Sequence, residues 1–125
     1  NAIGLMTSEN MGKSFIKYSV GPILDRSIYD NCFVASNCVI KDNDIYKMWY
    51  SYRGENYRIG YAESIDGINW QRKDDIVGID ISLDADEFDR KMIEYPHVFK
   101  HHSKKYMLYN GNNFGYDGIG LAVEE

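Results

Sequence analysis

Acidic, amide, arginine and tyrosine side chains gather in two groups along this chain, and together they suit a ligand rich in hydroxyls. The first holds Tyr29, Asp30, Asn31, Arg53 and Glu55. The second holds Asp89, Arg90, Glu94, Tyr95 and His97, followed by Asn110, Asn112, Asn113 and Asp117. Carboxylates and amides bond hydroxyls, arginine donates, and an aromatic face covers a ring. The carboxyls are those of Asp30 and Glu55 in the first group and of Asp89, Glu94 and Asp117 in the second. Arg53, Arg90, Tyr95, His97, Asn110 and Asn112 are the candidates for binding. Each type is also ordinary loop chemistry, and Asn112-Asn113 and Asp117-Gly118 are turn formers in their own right.

Other chemistries lack their residues. There is no Cys/His set with zinc spacing, no phosphate loop, no nucleophile elbow and no nucleotide fingerprint, so no metal and no cofactor is expected. His101 and His102 are adjacent, and on a strand they point to opposite faces; a turn between strands is their expected place. Asp84, Asp86, Glu87 and Asp89 lack the glycine of a calcium loop and read as a solvated loop. A net charge of −5 disfavours a nucleic-acid backbone as partner. Cys32 and Cys38 lie too far apart on one strand to bond and are expected to be reduced, which suits the cytoplasm. No apolar run approaches the length of a membrane span, so no membrane partner is expected.

Such side chains need a scaffold, and the chain repeats itself. Ile3-Gly4-Leu5-Met6-Thr7-Ser8 returns as Ile59-Gly60-Tyr61-Ala62-Glu63-Ser64 and again as Ile119-Gly120-Leu121-Ala122-Val123-Glu124, at intervals of 56 and 60 residues. Between these copies, Cys38-Val39-Ile40 followed by Lys47-Met48-Trp49-Tyr50 matches His97-Val98-Phe99 followed by Tyr106-Met107-Leu108-Tyr109. Eleven tyrosines and many β-branched residues favour strands. The expected unit is four antiparallel strands, A (34–40), B (46–52), C (57–63) and D (70–73). A second unit has A (93–100), B (105–110) and C (118–123), and a fragment with strands near 3–7 and 15–18 precedes both. Gly60 and Ala62 share one face, where small residues permit close approach. Four meandering strands repeated at this interval describe all-β propeller blades, here about two blades plus a fragment. The divisions expected are 1–18, 32–73 and 91–123 within a single partial-propeller domain.

Ser64-x-Asp66-Gly67-x-x-Trp70 after Ile59-Gly60-Tyr61-Ala62, then Tyr95-Pro96-x-Val98, then Tyr106-Met107-Leu108-Tyr109-Asn110-Gly111-Asn112, resembles the five-bladed β-propeller glycoside hydrolases of families 43 and 32. That resemblance implies a carbohydrate ligand and three pocket acids, one of them a proton-donating glutamate in a Glu-Gly-Pro-like segment. Glu94-Tyr95-Pro96 matches it at Glu and Pro, with Tyr in place of Gly. The resemblance also implies about five blades around a pocket, and this chain carries about two. The expectation is therefore a carbohydrate-binding or self-associating module in preference to a complete enzyme. A glycosidase whose pocket is completed by oligomerisation, with Glu94 as general acid and Asp30 or Asp89 as second carboxylate, is the alternative. A homo-oligomer, most simply a dimer in which Phe15–Tyr18 of one copy completes the last blade of the other, is expected. Asp66 in the Ser-x-Asp-Gly turn is expected to be structural, and Trp70 to anchor the outer strand.

Overall fold

The computed structural model describes residues 1–25 and 33–125. Among the described residues, nine strands form three antiparallel sheets. The first sheet pairs β1 (Met6–Thr7) with β2 (Ile16–Lys17), next to a bridge between Ile3 and Leu24. The second is a meander of β3 (Phe33–Asp42), β4 (Ile45–Arg53), β5 (Tyr57–Ser64) and β6 (Gln71–Arg72). The third repeats it with β7 (Glu94–His101), β8 (Lys104–Asn110) and β9 (Ile119–Val123). The strands expected from the repeat are present within a few residues of their expected limits. Two short 3-10 turns, Asp74–Ile76 and Asn113–Gly115, were not expected.

The four-stranded sheet is packed on both faces, as a blade between two others must be. Val34, Met48, Tyr50 and Ala62 point one way, onto Ile3 and Leu24 of the preceding fragment. Trp49, Ile59 and Tyr61 point the other way, onto Ile93, Val98 and Met107 around the third sheet. The period-2 alternation of β4 and β5 thus feeds two separate cores. Where the sheets meet at their outer ends, Asp42 accepts bonds from Lys47 of its own sheet (2.8 Å) and Lys100 of the next (2.7 Å). These lysines hold the Asp42 carboxyl well below the usual carboxylate range. Cys38 lies across the same seam: its sulfur accepts the Val98 amide at 3.2 Å, and it forms no disulfide. Cys32 lies outside the described residues.

Of the small residues of the repeat, Ala62 meets the preceding layer at Ile3 and Leu24, whereas the glycine is covered by a ring from the neighbouring strand. Tyr50 lies directly opposite Gly60 in register and covers it, and Tyr109 stands in the same relation to Gly120. Both phenols end on an aspartate: Tyr50 donates to Asp74 at 2.5 Å and Tyr109 to Asp89 at 2.8 Å.

The hydrogen bonds of the Ser64–Trp70 turn among the described residues are structural. Gly67 donates to Ser64 Oγ at 2.8 Å, while the amides of Ile68 and Asn69 donate to Asp66 Oδ1 at 2.9 and 2.8 Å. Trp70 Nε1 donates to the Gly67 carbonyl at 3.1 Å, and its ring packs on the first core. The same wiring recurs in the first sheet, where Gly12 donates to Ser8 Oγ at 2.9 Å and Ser14 to Asn10 Oδ1 at 3.0 Å. The bonds from Asn69 and Ile68 hold the Asp66 carboxyl well below its ordinary range. Asp66→Ala is therefore expected to lower the melting temperature above about pH 5. The difference from wild type should shrink as pH falls and Asp66 is protonated. Thermal scans at about pH 7 and pH 3 check this, and an unchanged melting temperature at neutral pH refutes it.

Candidate functional site

Glu94 opens β7, the first strand of the third sheet, and sits opposite Asn110 in register. One extra residue is then inserted between Glu94 and His97, forming a β-bulge. The sheet before it has its bulge in the equivalent place, between Ala35 and Cys38. The residue after each equivalent position is left-handed without being glycine, Ser36 with φ 49° and Tyr95 with φ 53°. The bulge thus belongs to the repeated unit, and the acid is what distinguishes the second copy: Glu94 stands where the first has Ala35. The strained turn is held across the seam by the Tyr95 amide, which donates to Ser51 Oγ of β4 at 2.8 Å.

The Glu94 side chain has no accessible surface, and neither carboxyl oxygen has a hydrogen-bond partner within the described chain. Burial pushes its pKa up to about 7, against an opposing pull from the Arg53 guanidinium. A carboxyl in this state stays a neutral acid up to about pH 7, where half of it is ionised. Because its folded pKa exceeds its ordinary value near 4.5, the folded protein binds more protons than the unfolded chain between those values. Stability associated with Glu94 is thus complete below about pH 4.5 and is lost as pH rises through about 7. The loss is expected to be about 2 kcal/mol, less than full conversion of the shift because relaxation around a buried charge offsets part of its desolvation cost. Glu94→Gln should remove this part of the pH dependence. Denaturant titrations of both proteins at about pH 5 and pH 8 check it, and parallel curves would refute it.

Around Glu94 the structure collects aromatic rings. Arg53, at the end of β4, lies 5.4 Å from the ring centroid of Tyr57, the first residue of β5. Tyr57 in turn meets Tyr95 at 6.4 Å and Phe114 at 5.9 Å between centroids. Burial, with Glu94 and Tyr57 nearby, raises the Tyr95 phenol above its ordinary value. Glu94, Arg53 and Tyr95 are thus brought together. Tyr57 and Phe114 were missed by the residue-level reading. Their signal was positional: each lies in or beside the loop joining the second and third strands of its sheet, on the rim that also carries Glu94.

The other candidates are placed elsewhere or used structurally. Asp89 is buried, with Oδ2 accepting from Tyr109 and Oδ1 unpartnered among the described residues; the charge acting on Glu94 is that of Arg53. Asn112 is buried and pins the loop before β7, its Oδ1 accepting from Lys91 (2.8 Å) and Met92 (3.2 Å). Asn110 Nδ2 donates to the Phe114 carbonyl at 3.1 Å and so shapes the Phe114 turn. His97 is exposed, with its ring 6.2 Å from Phe99. Arg90 is half-buried in the loop before β7, and its amide donates to the Glu87 carbonyl. Asp30, Tyr29 and Asn31 lie outside the described residues. His101 ends β7 and His102 enters the turn after it. A cleft of about 520 Å³ between the two larger sheets opens at their opposite ends, lined by Lys47, Trp49, Tyr61, Lys105 and Met107. It is the open mouth of the second core and contains none of the candidate acids.

Comparison with known structures decides what this architecture is. A glycoside hydrolase matches with a TM-score of 0.72 at 23% identity, over 98% of this chain and 35% of that one. The fold is that of a glycoside-hydrolase-like β-propeller. The BT0996 RGII complex matches this propeller segment with a TM-score of 0.68 at 23% identity, over 96% of this chain and 34% of that one. The Bombyx mori GH32 beta-fructofuranosidase does so with a TM-score of 0.62 at 18% identity, over 89% and 25%. In sequence, the segment is 44% and 43% identical over 102 residues to uncharacterized proteins from two strains of Mycobacterium tuberculosis. Those alignments cover 82% of this chain and 33% of each relative, so the segment spans about a third of their length. No family model matches. Among the described residues no helix is long and apolar enough to cross a membrane.

Proposed function

We propose that this propeller segment forms the proton-donating side of a carbohydrate cleft, with Glu94 as the general acid of a glycoside hydrolase. The observation that carries the reading is a buried carboxyl, free of hydrogen bonds within the described chain and kept protonated up to about pH 7, at the start of the strand that leaves the rim. Cleaving a glycosidic bond requires a protonated carboxyl beside the leaving oxygen and a second carboxylate across it. A raised pKa is what keeps the first of these protonated. The propeller fold shared with a glycoside hydrolase and a fructofuranosidase supports the substrate class. Asp89 is engaged by Tyr109, so the opposing carboxylate is sought in Asp30 or in the remainder of a protein as long as the mycobacterial relatives.

The test is hydrolysis of aryl glycosides of graded leaving-group acidity by the full-length protein and its Glu94→Gln variant. Loss confined to the poorly leaving aglycones supports the proposal; an equal loss across the series, or none, defeats it. Self-association is a second reading, favoured by β9, which pairs only with β8 among the described strands and exposes Ile119 and Leu121. Light scattering that returns a monomer at all concentrations removes it.

A further inference from the structure

We infer that Tyr57, Tyr95 and Phe114, with Arg53, form a platform that stacks against a sugar ring adjoining Glu94. This deepens the reading of Glu94 as a proton donor and rests on it. Three rings from three separate places in the chain meet in one group: Tyr57 opens β5, Tyr95 follows the acid in the bulge of β7, and Phe114 lies in the loop after β8. A cluster that served only the core would be covered. Here Tyr95 is 38% and Phe114 58% exposed, while Tyr57 beneath them is half-buried.

Two of the three rings are presented at a conformational cost. Tyr95 has φ 53° and Phe114 φ 59°, where a residue with a side chain is disfavoured. The equivalent left-handed position in the preceding sheet carries Ser36, so the backbone twist is shared by both copies while the ring is confined to the second. The Phe114 turn is fixed from below, since Asn110 Nδ2 bonds the Phe114 carbonyl and packs closely on Gly115. The rings are thus set on supports that hold them in place.

The occupant follows from what adjoins the rings. Bare aromatic surface would take any apolar partner, but this surface adjoins a neutral buried acid and a guanidinium. Arg53 contacts the Tyr57 ring, and its charge also acts on Glu94, so it is shared by the platform and the proton donor. A sugar has an apolar C–H face for the rings and hydroxyls for the arginine donors, which matches both halves of the site. Tyr95 is next in sequence to the acid, and the Glu94 charge is near enough to act on its phenol.

The test is equilibrium binding of a defined array of neutral oligosaccharides to the full-length protein. It is carried out in a Glu94→Gln background so that nothing is cleaved. Tyr95→Ala and Phe114→Ala are each expected to weaken binding about 3- to 10-fold, the range of one aromatic contact. Tyr116→Ala, in the same loop but 90% exposed and outside the cluster, should leave binding unchanged. Unaltered affinity in both platform variants, with folding confirmed by their melting temperatures, overturns the platform while leaving Glu94 to its own test. Weakened binding in a protein whose hydrolysis is indifferent to Glu94→Gln keeps the platform and removes the acid. Failure of the Glu94→Gln protein to bind any sugar of the array overturns the platform.

Discussion

In the full-length protein, Glu94→Gln is expected to slow cleavage of glycosides with poor leaving groups by about 100- to 10,000-fold, the usual worth of a positioned proton donor. Glutamine has nearly the same shape and keeps the buried position neutral at every pH, so folding should survive where proton donation does not. Aglycones that leave readily as anions need no proton and should be affected far less. The rate should also carry an alkaline limb near pH 7, because Glu94 loses its proton there and its donor function with it. That limb should be missing from the variant. A steady-state series with nitrophenyl and alkyl glycosides between about pH 5 and pH 9 reads both effects. The proposal would not survive an alkaline limb that persists in Glu94→Gln.

The second large effect concerns the scaffold. Gly60→Ala is expected to destabilise the chain by about 2–3 kcal/mol, the cost of forcing an added methyl group into a packed site. A β carbon built there falls 2.5 Å from the Tyr50 ring and 2.7 Å from Asp74 Oδ1. Neither group can retreat readily. Tyr50 is fully buried, and its hydroxyl donates to Asp74, which also accepts the Tyr61 amide at 2.9 Å and the Arg72 guanidinium at 2.6 Å. Gly120→Ala should behave alike, since a β carbon there would overlap the Tyr109 ring, which is tied to Asp89. Gly54→Ala, in the loop between β4 and β5 with nothing within 4 Å, is the control and should change stability little. Urea titrations of the three variants decide the matter: a Gly60→Ala protein as stable as the Gly54→Ala control would show that the ring can move aside.

The repeat made the sheets legible. Ile-Gly-x-Ala recurs because a tyrosine on the adjoining strand needs a residue without a side chain beneath it, so the pattern is local in register and survives in the sequence. Ser64, Asp66, Gly67 and Trp70 were legible for the same reason, since their bonds close within a few residues. The alternation along β5 likewise put Gly60 and Ala62 on one face, where Ala62 meets Ile3 and Leu24.

What the sequence did not contain is how far each polar group would be taken from water. Glu94 and Asp89 are both acids near the start of the third sheet, and the Glu-Tyr-Pro segment that singles out Glu94 along the chain says nothing of its hydrogen bonding. Packing does so by giving Asp89 a phenol and leaving Glu94 with no hydrogen-bond partner in the described chain and only the pull of an arginine. Asn112 likewise reads as a ligand residue until the loop at 87–92 folds onto it. The cluster of Tyr57, Tyr95 and Phe114 is assembled from segments up to 57 residues apart, and a bulge with a left-handed residue turns Tyr95 into it. By itself, the sequence determined a repeated antiparallel unit and its tight turns, because each is a short-range rule of strand geometry. Only the tertiary structure decided which buried carboxyl receives a hydrogen bond and which rings meet, because both depend on surfaces brought together from distant parts of the chain.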